Sequence, residues 1–205
     1  MALRRCLRSL LIVLLVALLL PLNACGAESP AASSSAPSAS ASAPPTADPR
    51  PTPASSKGPA RNLPKPILPE AAKENTKEGF EAFTQYWFDT ITYGLETGDP
   101  EPLREISVPA CKICDRYISR AESARTGREW NVGPRWTIRE FLGVVETAPP
   151  HQASGTFLLE ESSSNRYSSG GNLLKRFDSS RDGGPKTVRA IFSGQQWIMT
   201  EVGNG

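Results

Sequence analysis

The chain has 205 residues, with 23 Lys and Arg against 21 Asp and Glu and a formal charge of +2. That balance does not indicate a nucleic-acid partner. Arg4, Arg5 and Arg8 precede an apolar run, and every acid follows Cys25, so the chain beyond Cys25 holds twenty cations against 21 carboxylates, a charge distribution without a basic footprint.

In chain order, the three arginines are followed by an unbroken apolar stretch from Leu10 to Leu20, then by Pro21-Leu22-Asn23-Ala24-Cys25. A cationic start, a short greasy centre and a small residue at the end read as an export signal over residues 1–24. As a helix the stretch is roughly 16 Å long against a hydrocarbon core of about 30 Å, too short to remain as a span. Leu22-Asn23-Ala24-Cys25 resembles the bacterial lipobox, with Asn23 a less usual residue at its position. The resemblance implies cleavage before Cys25 and a diacylglyceryl group on its thiol; two acyl chains hold stably where one is marginal. It also implies the extracytoplasmic face of a cell membrane. Ordinary secretion with cleavage near Ala24 is the alternative, and Arg4-Arg5 leaves twin-arginine export open.

Residues 25–69 are dominated by Ala, Ser and Pro, with almost no large apolar side chain. Such a segment cannot bury enough surface to offset the entropy of ordering, so it is expected to be a disordered tether. At about 3.1 Å per residue in a Pro-rich chain it reaches on the order of 100 Å. The globular part is then residues 70–205, a single domain of ordinary size.

In that domain, Asn75 reads as an N-cap with Glu78 completing a capping box, and Phe80, Phe83, Trp87, Ile91 and Gly94 follow at helical spacing to a stop at Gly98. Asp99-Pro100 restarts a short helix through Ile106. Pro109 opens a third helix, with Ile113, Tyr117, Ala121 and Ala124 on its buried side and Gly127 ending it. The period then changes to two. Trp136, Ile138, Leu142 and Val144 share one face of a strand over 135–147, Phe157 and Leu159 mark a second strand after Pro149-Pro150, and 162–172 reads as a loop in which Tyr167 packs back. Leu173 to Phe177 adds a further strand. Thr187 to Phe192 and Gln196 to Val202 form a hairpin about Ser193-Gly194-Gln195. Helices first and an antiparallel sheet after them make the fold class α+β.

That order, with Gly194 and Trp197 in the final hairpin, resembles the nuclear-transport-factor-2-like cone, in which a curved sheet wraps the first helix. The run Gly79-Phe80, Phe83, Tyr86-Trp87, Thr97-Gly98-Asp99, Cys111 and Cys114 is similar to a family of actinobacterial lipoproteins of unknown function, over roughly 66–202. The resemblance implies architecture and location, and no activity.

Cys111-Lys112-Ile113-Cys114 has two readings. A thiolate at a helix start gains from the dipole and is a redox candidate. Redox enzymes, however, place C-x-x-C after a strand, and Pro109-Ala110 stands here instead. Residues three apart on a helix lie within disulfide range, so the expected state is a structural bridge between Cys111 and Cys114. No metal site is expected: two thiolates lack a partner pair, and His151 is the sole histidine. His151 sits in a Pro-Pro turn with nothing beside it to orient an imidazole, so no catalytic residue is assigned. No cofactor is implied.

A cone open at one end suggests a pocket, and Trp87, Asp89, Tyr93, Glu140 and Trp197 are its candidate residues. The leading reading is a lipid-anchored envelope protein whose non-catalytic domain binds a protein partner or a small apolar ligand. The alternatives are a pocket enzyme of the isomerase or dehydratase type, and a thiol-disulfide protein using Cys111 and Cys114.

Overall fold

The computed structural model describes residues 49–181 and 183–205. The expected signal, the lipidation site at Cys25 and the tether up to residue 48 lie outside the described residues.

The first long element, α1 (Lys77–Thr97), carries the core on one side: Phe80, Phe83, Trp87, Ile91 and Leu95 are all buried. Its N-cap is Thr76, whose hydroxyl accepts the Gly79 amide at 3.0 Å, one residue beyond the expected Asn75. Gly98 closes it in the left-handed conformation with φ of 84°. The position needs glycine twice over, because a Cβ there would lie 2.3 Å from the Arg125 amide nitrogen where α3 crosses. Gly98→Ala is therefore expected to cost more than about 2 kcal/mol, from left-handed strain plus a backbone clash. Thermal unfolding would show this as a drop of several degrees, and an unchanged Tm would contradict the packing.

Asp99 accepts the Glu101 amide at 3.1 Å and starts the short α2 (Glu101–Glu105). The third helix, α3 (Lys112–Arg125), begins at Cys111 rather than at Pro109. Its buried stripe is Cys114, Ile118, Ala121 and Ala124; Ile113 and Tyr117, assigned to that side from spacing, are only partly covered. A stripe shifted by one residue turns Tyr117 by about 100° from the centre of the buried face.

Seven strands follow: β1 (Glu129–Val132), β2 (Trp136–Val145), β3 (Gln152–Glu161), β4 (Ser164–Ser168), β5 (Leu173–Phe177), β6 (Pro185–Ser193) and β7 (Gln196–Asn204). They form two antiparallel sheets, β2-β3-β6-β7 and β1-β4-β5, where one curved sheet was expected. β1 and β4 were not anticipated: Ser164–Ser168 lies inside the stretch read as a loop, and there Tyr167 stacks on Trp130 with ring centroids 6.4 Å apart.

The face of β2 corrects the period-two reading. Trp136 and Ile138 pack on the core, but the register shifts between Arg139 and Leu142, with Glu140 at φ of 50°. One inserted residue reverses which side every later residue faces. Phe141 therefore turns inward at 6% exposure, while Leu142 and Val144 stand out at 69% and 68%. Room for the Phe141 ring comes from Gly143 and Gly155, which are paired across the sheet; a Cβ on either would approach that ring to 2.6 or 2.9 Å. The β6–β7 hairpin has the expected place, with Gly194 and Gln195 both at positive φ in a two-residue turn, the combination of a type I′ turn.

Residues 52–61 also pack onto the domain, ahead of the expected boundary at 70. Thr52 pairs with Arg61 and Ser55 with Gly58 in a small hairpin, although both lie in the stretch assigned to the tether. Ala60 is 3% exposed and its amide donates to the Glu96 carbonyl at 2.7 Å. The Ser55 carbonyl accepts the Trp130 indole N–H at 2.7 Å. Composition does not exclude this, because a hairpin docked on a large aromatic needs few apolar residues of its own. The domain thus includes residues from at least Thr52 on, ahead of the expected start at 70.

Candidate functional site

The five candidate pocket residues are not brought together. Trp87 and Trp197 are core, at 0% and 1% exposure, with their indole N–H groups donating to Ser107 Oγ and the Glu74 carbonyl. Asp89 lies on an exposed position of α1 and accepts from the Gln85 amide at 3.1 Å; partial desolvation raises its carboxyl above the ordinary range, opposed by that hydrogen bond. Tyr93 points its hydroxyl to Asp99, 3.3 Å away. Glu140 is exposed in the β2 bulge. An aromatic stripe and a set of acids do not make a pocket when the rings face the core and the acids face water.

Cys111 and Cys114 are joined in a disulfide, with α-carbons 5.2 Å apart. Cys111 is also the cap of α3, its sulfur accepting the Cys114 amide at 3.3 Å. Closing so small a loop contributes about 2 kcal/mol in the chain-entropy model, which pins the helix start. The residues are 3% and 0% exposed, and thiol exchange requires access to a sulfur, so the pair has the surroundings of a structural bridge. His151 Nδ1 lies 3.4 Å from the Asn75 side-chain nitrogen. Among the described residues no group of three metal-ligating side chains exists, and no helix is long and apolar enough to cross a membrane.

The structure instead forms a cleft of about 240 Å³ where α1, α3 and both sheets meet. Tyr117 forms one wall, reached because the α3 stripe is rotated away from it. Its ring stands edge-on to Trp136 at 5.9 Å and to Trp87 at 6.4 Å. The Arg120 guanidinium lies 5.8 Å from the centre of the same ring, within cation–π range. Trp136 forms a second wall and donates its indole N–H to Glu161 at 3.1 Å. Glu161 is held by a two-way backbone pairing with Ser180, at 2.7 and 3.0 Å. Phe177 at the end of β5, Asp178 after it and Asn131 on β1 also line the cleft.

Burial raises the Tyr117 phenol above its ordinary pKa, with Arg120 acting against that and Glu161 adding to it. The hydroxyl is thus neutral at physiological pH and can donate. It makes no hydrogen bond to any described residue. Aromatic walls, one cation, the two carboxylates Glu161 and Asp178, and a phenolic donor are the makings of a ligand site for a body with a flat apolar part and a polar end.

Sequence reasoning missed this site because Tyr117 was assigned to the core and Glu161 carried no signal. The available clue was Tyr117 followed three residues later by Arg120, which places a cation beside a ring on one helix face.

Comparison with known proteins gives the following. No curated protein matches the chain. Among solved structures it is similar to the intermembrane space region of the chloroplast protein ARC6, at 14% identity over 63% of this chain and 98% of that one, with a TM-score of 0.46. It is also similar to an uncharacterized protein with a cystatin-like fold from Caulobacter vibrioides, at 12% identity over 63% of this chain and 87% of that one, with a TM-score of 0.40. The model of a family of unknown function, DUF6318, matches residues 49–203, a span that takes in the early hairpin as well as the helices and both sheets. The chain belongs to that family.

Proposed function

We propose that this protein is a lipid-anchored binding protein of the cell envelope, tethered through Cys25 by residues 26–48, whose domain holds a small ligand in the Tyr117–Trp136 cleft without transforming it. The anchor rests on the short apolar run and on Leu22-Asn23-Ala24-Cys25. The nuclear-transport-factor-2-like reading rests on the order of helices before antiparallel strands. The observation that carries the binding reading is Tyr117, a partly buried ring set among other rings whose hydroxyl bonds to no described residue.

The reading has a direct test. Because that hydroxyl bonds to no described residue, Tyr117→Phe should leave stability within about 0.5 kcal/mol. The same change should weaken small aromatic probes such as phenol about fivefold to tenfold, the worth of one hydrogen bond. NMR titration of the Trp136 indole N–H measures the affinity, and denaturant unfolding measures the stability. Probe binding that Tyr117→Phe leaves untouched, or that never perturbs Trp136, would refute the cleft as the binding site.

A further inference from the structure

We propose that the groove beside the cleft receives the phosphate of a soluble phosphate monoester whose organic part lies against Tyr117 and Trp136; this rests on the cleft being the ligand site. Lys112, Arg116 and Arg120 follow one another at intervals of four on α3 and line one wall of a groove of about 530 Å³. Like charges at that spacing repel along a helix. Among the described residues none of the three forms an ion pair.

Arg166 on β4 faces them. Its Nε is buried and has no hydrogen-bond partner, with the Glu129 carboxylate 3.6 Å away. Asn131, beside it in the β1–β4 register, is 8% exposed, and its side-chain amide bonds to no described residue. A buried polar group without a partner destabilises a fold unless something else satisfies it. One such group, the Arg166 Nε, on a groove also lined by the Asn131 amide, points to an occupant that accepts hydrogen bonds.

Charge selects the class of that occupant. Four cations stand against two carboxylates, Asp115 and Glu129, leaving two positive charges in excess. A phosphate monoester carries close to two negative charges at neutral pH and several acceptor oxygens, and guanidinium groups bind such oxygens in forked pairs. The groove also adjoins the cleft, since Arg120 and Asn131 line both. A phosphate held by Arg116, Arg166 and Asn131 thus places an attached aromatic or apolar group beside Tyr117.

Titration of the full chain with phenyl phosphate, inorganic phosphate and phenol tests this. Phenyl phosphate should bind at least tenfold more tightly than either part alone, moving the Asn131 side-chain amide and the Trp136 indole signals together. Arg116→Glu, at an exposed position that leaves the fold intact, should weaken phenyl phosphate at least tenfold and leave phenol unchanged. Arg166→Gln should act in the same direction. Lys77→Glu, the same charge reversal at the far end of α1, should have little effect. If phenol moves Trp136 but the phosphate brings no gain, or if Lys77→Glu acts as strongly as Arg116→Glu, the phosphate inference is overturned and the cleft stands. If no probe moves either residue, both fall.

Discussion

Trp197→Ala should lower the stability of the domain by about 3–5 kcal/mol, the range for truncating a buried aromatic ring. Trp197 lies where the N-terminal segment, α1 and the last hairpin converge. Its ring centroid is 5.2 Å from that of Phe80, 6.3 Å from Phe83 and 5.0 Å from Phe192. Its indole N–H reaches across to the Glu74 carbonyl at 3.0 Å. The substitution empties the middle of this cluster and leaves that carbonyl without its donor. Against a total of about 5–15 kcal/mol for a typical domain, such a loss removes a third or more of the stability. Denaturant unfolding would show a lower midpoint at an unchanged m-value; a change below 1 kcal/mol would mean that Trp197 is not central to the core.

Removal of residues up to 65 should cost about 2–4 kcal/mol, from a lost indole hydrogen bond and re-exposed ring surface. The Thr52–Arg61 hairpin is the cover of Trp130, which is 3% exposed with the hairpin in place. Its Ser56 carbonyl packs so close to Gly171 that a Cβ there would sit 2.7 Å away, so the hairpin also touches the turn between β4 and β5. The same truncation breaks the ion pair between Lys65 and Asp99, 3.5 Å long, but that contact is largely exposed and adds little. Tryptophan emission should shift to the red, and amides of β1 and β4 should exchange faster than those of the larger sheet. A truncated chain as stable as the full one would return the boundary to residue 70.

The contrast between these two predictions shows what was legible in the sequence. The core helix announced itself, because large rings at intervals of three and four between Thr76 and Gly98 admit one period only. The final hairpin was readable for the same reason at period two, with glycine at its turn. The disulfide followed from spacing and position. Other features depend on contacts distant in sequence. Nothing local to Arg139-Glu140-Phe141 announces a bulge, yet that single residue sends Phe141 inward and Leu142 outward. The early hairpin is hidden in a Pro- and Ser-rich stretch because its stability comes from Trp130, about 75 residues later. The cleft was invisible because it needs the rotation of α3 and the meeting of two sheets, neither of which a periodicity reports.

The proposed function sets the domain outside the membrane through a lipid on Cys25, and that proposal is tested most directly at Cys25 itself. Intact-mass analysis of the protein purified from membranes of its source should find a chain that begins at Cys25 and carries a diacylglyceryl group, with Cys25→Ser abolishing both processing and membrane retention. A chain still beginning at Met1, or one that starts near Cys25 without acyl chains and is found free of the membrane, would contradict it.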